Sequence, residues 1–104
     1  MPDQRSKIEL LFLRIHDGDQ AAFDELFKAY HPKLLAFATN YIKQLESAEE
    51  VTCELFVTLW IKRASLLKVN NPEVYLYVSV KNACLNLIRY NKKRHFIFSE
   101  QLNE

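Results

Sequence analysis

Hydrophobic residues recur at intervals of three and four along most of the chain, and this spacing predicts four helices. The first covers residues 4–16, and its inner face consists of Ile8, Leu11, Phe12 and Ile15. Gly18 follows shortly after, and glycine favours the left-handed conformation that ends many helices. The pattern therefore predicts an amphipathic helix that packs one face against a core.

The second predicted helix begins after Asp19, whose carboxylate can accept hydrogen bonds from the free amides of the first turn. Pro32 interrupts its pattern. Because proline has no amide hydrogen and crowds the preceding turn, we expect a kink or a restart near His31. The apolar positions before and after the proline are Phe23, Leu26, Phe27 and Tyr30, then Leu34, Leu35, Phe37, Ala38, Tyr41 and Ile42.

The third predicted helix runs from Ser47 to about Ser65. Ser47 and Glu50 have the spacing of a capping box, in which each side chain satisfies a backbone amide at the start of a helix. The inner face consists of Ala48, Thr52, Leu55, Phe56 and Leu59. Residues 66–70 are predicted to form a short loop.

The outer face of this third helix mixes acidic and apolar side chains. It consists of Glu50, Glu54, Val57 and Ile61, with Cys53 and Trp60 beside them. A face that is only solvated would not carry so many apolar residues among its acids, whereas such a mixture suits docking onto a basic amphipathic helix of another protein. The alternative is that another helix of the same domain covers Val57, Trp60 and Ile61.

The fourth predicted helix, residues 71–94, is the longest. Asn71 can cap it, and Pro72 fits its first turn. Most of its circumference is apolar, which predicts burial on several sides. One polar arc remains, formed by Tyr75, Ser79, Asn82, Asn86, Arg89, Tyr90 and Lys93. Aromatic rings stack on unpaired bases, amides pair with base edges and cations bind phosphate, so the arc suits nucleic acid; a solvated face is the alternative.

The composition indicates one all-α domain, a compact bundle of about four helices, because the 104 residues include one glycine and three prolines. We assign residues 1–94 to this domain and predict that residues 95–104, which lack a helical pattern, begin a linker or form a C-terminal tail. No apolar run reaches the ~18 residues of a membrane span, and the N-terminus has no signal-peptide pattern, so we expect a cytoplasmic protein. Cys53 and Cys84 are predicted to be core thiols.

Charge is distributed unevenly along the chain. Residues 1–59 hold six Lys or Arg and ten Asp or Glu, a net charge of −4, whereas residues 60–95 hold eight against Glu73 alone, a net charge of +7. A polyanion would be attracted to the second part and repelled by the first.

A catalytic or metal-binding group cannot be assembled from the sequence. Gly18 is the only glycine, which excludes a glycine-rich phosphate loop. His16, His31 and His95 do not have the spacing of metal ligands with Cys or carboxylates, and His31 is expected to be structural or solvent-exposed. We therefore expect no enzyme activity, no cofactor and no metal.

Three stretches stand out together by their order and spacing. They are Ala22–Phe27 continuing to Tyr30 and Leu34; Ala48–Val51 continuing to Glu54, Phe56 and Trp60; and Tyr75–Tyr77 followed by Lys81, Asn82 and Leu87–Arg89. In this combination, which covers roughly residues 19–94, the chain resembles region 2 of bacterial sigma factors, specifically the extracytoplasmic-function (ECF) class. Two departures concern the fourth helix: Tyr75 stands where tryptophan is common, which preserves stacking, and residues 78–80 are Val-Ser-Val in place of a more basic stretch.

The resemblance implies a domain that docks on the clamp helices of the largest RNA polymerase subunit. It also implies that the domain recognises and opens the minus-ten promoter element by holding bases of the non-template strand. The implied polymerase contacts are Glu50, Cys53, Glu54, Val57, Trp60 and Ile61. The implied DNA contacts are Lys68, Asn70, Tyr75, Lys81, Asn82, Asn86, Arg89, Lys92 and Lys93. An anti-sigma factor is a further partner that the resemblance allows.

A second reading stays open at this stage. The chain shows no helix-turn-helix region 4, which a complete sigma factor of this class has, so we expect either a fragment of a longer protein or a lone region 2. A lone region 2 could act as an interaction module that competes for core polymerase without opening promoters. If the domain recognises and opens promoters, it should bind single-stranded DNA with an affinity that falls steeply with added salt; an interaction module should bind such DNA little or not at all.

Overall fold

A computed structural model describes residues 5–102, apart from the side chain of Leu102, and within this part it contains five helices and no strand. The predicted all-α bundle is confirmed. None of the described helices is long and apolar enough to cross a membrane. The helices are α1 (Lys7–His16), α2 (Gln20–Ala38), α3 (Leu45–Ile61), a 3-10 helix (Arg63–Lys68) and α4 (Pro72–Leu102).

Helix α1 begins with a capping box that the sequence analysis missed. The Ser6 hydroxyl accepts a hydrogen bond from the Glu9 backbone amide at 3.3 Å, and the Glu9 carboxylate accepts one from the Ser6 amide at 3.5 Å. The helix ends as predicted, because Gly18 adopts a positive φ of 88° beyond its last turn. The predicted inner face, Ile8, Leu11, Phe12 and Ile15, is buried.

Asp19 caps α2, as predicted. Its Oδ1 accepts a hydrogen bond from the Ala22 amide at 3.2 Å, and Arg14 Nε donates to its Oδ2 at 2.9 Å. These hydrogen bonds, that of Arg14 first, hold the pKa of the Asp19 carboxyl below its usual value. The corner between α1 and α2 is therefore fixed by charge as well as by packing.

The predicted restart near Pro32 is wrong, because α2 continues through it to Ala38, whereas the kink stays a prediction. Leu26 and Leu34, in the turns on either side of the proline, are completely buried, whereas Pro32 itself is exposed. Packing of the flanking turns thus outweighs the backbone hydrogen bond that proline cannot make.

Both ends of α3 differ from the prediction. The N-cap is Gln44 without a side-chain cap, and the Ser47 hydroxyl donates to Gln44 Oε1 at 3.4 Å, so the capping box at Ser47 is wrong. The helix ends at Ile61, and the 3-10 helix replaces its predicted last turn and most of the predicted loop. This tighter segment buries Leu66 against the core.

Helix α4 is longer and less buried than predicted. It continues to Leu102, past the predicted end at residue 94. Its buried stripe is narrow, with Leu76, Val80 and Cys84 at successive turns, while Val74 and Val78 are 54% and 46% exposed. The prediction of burial on several sides is wrong, because α1, α2 and α3 contact α4 and yet bury only this narrow stripe.

The far end of α4 extends beyond the bundle, and residues 89–98 are all exposed. The described chain measures 70 Å along its longest axis and 24 Å along the next. Residues 95–102, in whose sequence we find no helical pattern, form the last turns of α4. The domain boundary that we place after residue 94 stays a prediction.

The core lies between α1, α2, α3, the 3-10 helix and the first half of α4. At one side of the core, a hydrogen bond links α2 to α4: the Tyr30 hydroxyl donates to Glu73 Oε2 at 3.2 Å. Partial burial and this contact with Glu73 raise the pKa of the Tyr30 phenol. Both cysteines are free, and Cys84 is a fully buried core thiol whose pKa burial raises; Cys53 is half-buried.

Candidate partner and nucleic-acid interfaces

The outer face of α3 is open. Val57 is 56% exposed and Ile61 is 70% exposed, and the carboxylates of Glu50 and Glu54 lie in solvent beside them. No helix within residues 5–102 covers Val57 or Ile61. The alternative, that another helix of the same domain covers them, is therefore wrong for these two side chains. Exposed aliphatic side chains among carboxylates form a surface suited to an apolar and cationic partner.

Trp60 belongs partly to the core. Its ring meets Phe23 with 5.3 Å between centroids, and the Arg63 guanidinium lies 4.4 Å from the centroid of the indole ring. Arg63 also donates to the Trp60 carbonyl at 2.9 Å. Trp60 therefore presents only part of its surface to a partner, next to a cation that the sequence analysis did not assign to this face.

Cys53 lies at the edge of the same face, against α2. Its Sγ is 3.9 Å from His31 Nε2, and the His31 ring stacks on Phe27 with 4.7 Å between centroids. His16 also contacts a carboxylate, that of Asp17, at 3.0 Å. Within residues 5–102, however, no three His, Cys, Asp or Glu side chains are grouped as metal ligands.

The predicted DNA-binding residues begin where the 3-10 helix joins α4. The Asn71 side chain accepts a hydrogen bond from the Val74 amide at 3.2 Å and so caps α4, as predicted. Lys68 and Asn70 are exposed immediately before it. A hollow of about 490 Å³ opens at this junction, lined by Ser65, Lys68, Val69, Asn70, Asn71, Val74, Tyr75 and Val78.

Tyr75 is held on one side and open on the other. The rings of Tyr75 and buried Phe12 of α1 meet edge to face, with 6.2 Å between centroids and 88° between planes. Tyr75 keeps 37% of its surface exposed. An anchored aromatic side chain at the rim of a hollow is a suitable platform for a stacked base.

The remaining predicted DNA contacts continue along α4. All of them are exposed, and Arg89 Nη1 donates to Asn86 Oδ1 at 3.4 Å. At about 100° per residue, Lys81 and Lys92 lie roughly a quarter to a third of a turn around the helix from the arc of Tyr75. The other predicted DNA contacts on α4 lie on this arc together with Tyr75, and they are Asn82, Asn86, Arg89 and Lys93.

The two predicted surfaces meet in a groove between α3 and α4. This groove has a volume of about 490 Å³, and it places Glu54 in the same lining as Tyr75 and Asn86. The sequence analysis missed this proximity, because the two helices are separated by the 3-10 helix and periodicity describes one helix at a time. The other lining residues are Val51, Leu55, Thr58, Ser79, Ala83 and Leu87.

Ion pairing leaves the basic part of the chain available. The ion pairs within the described residues join α1 to the start of α2, as in Arg14–Asp19, or neighbours at the end of α1. Between residues 60 and 102, the cations form no ion pair with a carboxylate in the described structure, and Glu73 bonds to Tyr30 instead. Solvent-exposed, unpaired cations on one elongated helix favour a polyanionic ligand.

Comparison with known proteins identifies the family to which this chain belongs. The family description "Sigma-70 region 2" matches residues 26–94. The fold is similar to that of an engineered region 2 of sigmaE, solved by NMR in complex with GTAAAA, with a TM-score of 0.71 and 23% sequence identity over 90% of this chain and 97% of that one. No significant match was found among curated protein sequences. Because the family match covers most of the chain, this protein belongs to the sigma-70 region 2 family.

Proposed function

We propose that this chain acts in transcription initiation as a region 2 of the ECF class. In this proposal α3 docks on the clamp helices of the largest RNA polymerase subunit. The 3-10 helix and α4 then recognise the minus-ten promoter element and hold bases of its non-template strand. The observation that carries the proposal is the open acidic and aliphatic face of α3, next to a separate basic surface in a region 2 fold.

The polymerase-binding part rests on exposure and charge. Val57 and Ile61 supply apolar area that the domain itself leaves in solvent, and Glu50 and Glu54 supply negative charge at its edge. A basic amphipathic helix would bury the aliphatic side chains and pair its cations with the carboxylates. Cys53 and Trp60 contribute at the border of this surface.

The DNA-binding part rests on the hollow at the start of α4. Tyr75 offers a ring for stacking, and Lys68 and Asn70 offer a cation and an amide at the same rim. Taking a base out of a duplex costs a few kcal/mol, and a base stacked on an aromatic ring gains about 1–3 kcal/mol. These terms nearly balance, so promoter opening requires the polymerase to add binding energy.

The related sigmaE domain supports the choice of DNA probe. That protein was solved in complex with GTAAAA, and we propose that this chain binds a short single-stranded DNA of this kind of sequence. In this chain, the exposed cations Arg89, Lys92 and Lys93 lie further along α4 from the hollow, where they would contact the phosphates of the bound strand.

The test is a titration of the 104-residue chain with an RNA polymerase clamp-helix fragment. Wild type should bind with micromolar affinity, and Glu54→Arg should weaken binding about tenfold or more, because it reverses a charge at the interface. Glu46→Arg is a matched control, since Glu46 is also exposed on α3 but lies one turn before the proposed surface. Circular dichroism should show an unchanged melting temperature for Glu54→Arg and a fall of about a few degrees for Glu46→Arg, which removes a carboxylate from the first turn of α3.

The same titration can contradict the proposal. If wild type, shown to be folded, does not bind the fragment, the polymerase-docking role fails. Equal losses in Glu54→Arg and Glu46→Arg would mean that general charge, and not the proposed face, determines binding.

A further inference from the structure

We propose that α1 belongs to the nucleic-acid interface, because Phe12 positions Tyr75 for stacking on an unpaired base. The inference rests on the proposed function. It extends the interface to a helix that lies before the family match, which begins at residue 26.

The first step is the contact itself. Phe12 is only 3% exposed, and its ring meets that of Tyr75 at 6.2 Å and 88°. This edge-to-face pair restricts the rotation of the Tyr75 side chain while leaving part of its ring in solvent. A base that stacks on a ring already held in place loses less affinity to side-chain ordering.

The second step is the support that α1 gives to the preceding segment. Helix α1 packs along the 3-10 helix, whose Leu66 is buried in the core. A small hollow beside this contact is lined by Glu9, Phe12 and Leu13 of α1 and by residues 66, 67, 69, 70 and 72. The backbone that carries Lys68 and Asn70 is therefore supported by the same helix that holds Tyr75.

The third step separates Phe12 from the polymerase surface. Val57 and Ile61 lie on the outer face of α3, and α1 forms its main contacts with α2, the 3-10 helix and α4. Loosening Phe12 should therefore change the affinity for DNA and leave the affinity for the polymerase fragment nearly unchanged.

The experiment compares Phe12→Leu with Phe56→Leu in the 104-residue chain. Phe56 is an equally buried phenylalanine whose ring meets those of Phe23, Phe27 and His31, and within the described residues it forms no ring pair with Tyr75. Both variants lose one aromatic ring from the core. Binding is measured by fluorescence anisotropy with a single-stranded oligonucleotide carrying GTAAAA and with a mixed-sequence pool, at a temperature where circular dichroism shows both variants folded.

Phe12→Leu should weaken DNA binding between about two- and tenfold, the range expected for one aromatic pair. It should change binding to the clamp-helix fragment by less than about twofold, and Phe56→Leu should change DNA binding by less than about twofold. If Phe12→Leu is too unstable, Phe12→Met removes the ring and keeps a large apolar side chain.

A double-mutant cycle tests whether Phe12 acts through Tyr75. Tyr75→Ala should weaken DNA binding, and adding Phe12→Leu to it should cause no further loss. An equal further loss, or equal effects of Phe12→Leu and Phe56→Leu, would overturn the inference while leaving the proposed function standing. If wild type binds no DNA, or if Tyr75→Ala binds like wild type, the proposed DNA-binding role of Tyr75 fails first.

Discussion

Glu73 is the single acidic side chain among residues 60–95, and the fold uses it for a hydrogen bond to a phenol. The Tyr30–Glu73 contact links α2 to the first turn of α4, where a carboxylate also interacts favourably with the helix dipole. It fixes the start of α4, next to the hollow that we assign to DNA. One side chain thereby joins the core to the proposed interface.

Tyr30→Phe removes this hydrogen bond and should lower the free energy of unfolding by about 0.5–1.5 kcal/mol. The effect should depend on pH. Because the pKa of Tyr30 is raised in the folded state, the contribution is fully present below the ordinary tyrosine value near 10 and is lost as the pH rises through the folded value. Urea unfolding of wild type and Tyr30→Phe between pH 7 and 11 measures the loss in the free energy of unfolding and its dependence on pH.

Tyr41→Phe is the control for this prediction. Tyr41 is half-buried against Phe37, and its hydroxyl makes no hydrogen bond to the described residues. Removing this hydroxyl should cost less than removing that of Tyr30, because no hydrogen bond is lost. A gap between wild type and Tyr30→Phe that widens above pH 10 would contradict the assignment.

Local capping chemistry could be predicted from the sequence only where nothing competed with it. Asp19 follows a glycine and caps α2 as expected. The pattern Ser-x-x-Glu occurs at both Ser6 and Ser47, and only the first caps a helix. The residues just before Ser47 can themselves be helical, so α3 begins earlier and leaves Ser47 inside its first turn.

Among the elements, α2 shows how tertiary packing overrides a local signal. Pro32 is incompatible with an isolated helix, yet the turns around it bury Leu26 and Leu34 and the helix stays continuous. The energetic cost of the missing hydrogen bond remains in the folded state.

Pro32→Ala should therefore stabilise the domain, by about 1–3 kcal/mol, because alanine restores the backbone donor and removes the steric conflict in an exposed position. Part of the gain is offset by the greater freedom of the unfolded chain. Thermal unfolding followed by circular dichroism measures the change. Lys28→Ala, at an exposed position one turn earlier, should change stability by less than about 0.5 kcal/mol; a Pro32→Ala domain no more stable than wild type would mean that α2 bends to accommodate proline.

The burial of α4 could not be predicted from its own sequence. Its many apolar residues predict burial on several sides, but a helix is buried only where other elements contact it, and here that contact buries one narrow stripe. Val74 and Val78 are left in solvent at the rim of the proposed DNA-binding hollow. The exposure that contradicts the packing prediction thus adds apolar area to the candidate site.

For the molecule as a whole, the sequence located both candidate surfaces and missed how close they lie. The acidic and aliphatic face and the basic arc each follow from helical periodicity. Their shared groove, with Glu54 beside Tyr75 and Asn86, depends on how α3 crosses α4. The surfaces that we propose for polymerase docking and for DNA binding therefore adjoin, and we expect variants in the groove itself to affect both.

The charge asymmetry gives a quantitative expectation for DNA binding. If Lys68 and Arg89 each contact a phosphate, replacing either with glutamine should make the plot of log affinity against log salt concentration shallower by about 0.7, because one fewer counterion is released from the single strand. Fluorescence anisotropy with the GTAAAA oligonucleotide between 25 and 200 mM salt, roughly the range over which such contacts are screened, measures the slope. Lys28→Gln removes the same charge from an exposed position in the acidic part of the chain and should leave the slope unchanged. Equal slope changes in all three variants would mean that net charge alone attracts the DNA, whereas unchanged slopes for Lys68→Gln and Arg89→Gln would place the phosphates elsewhere.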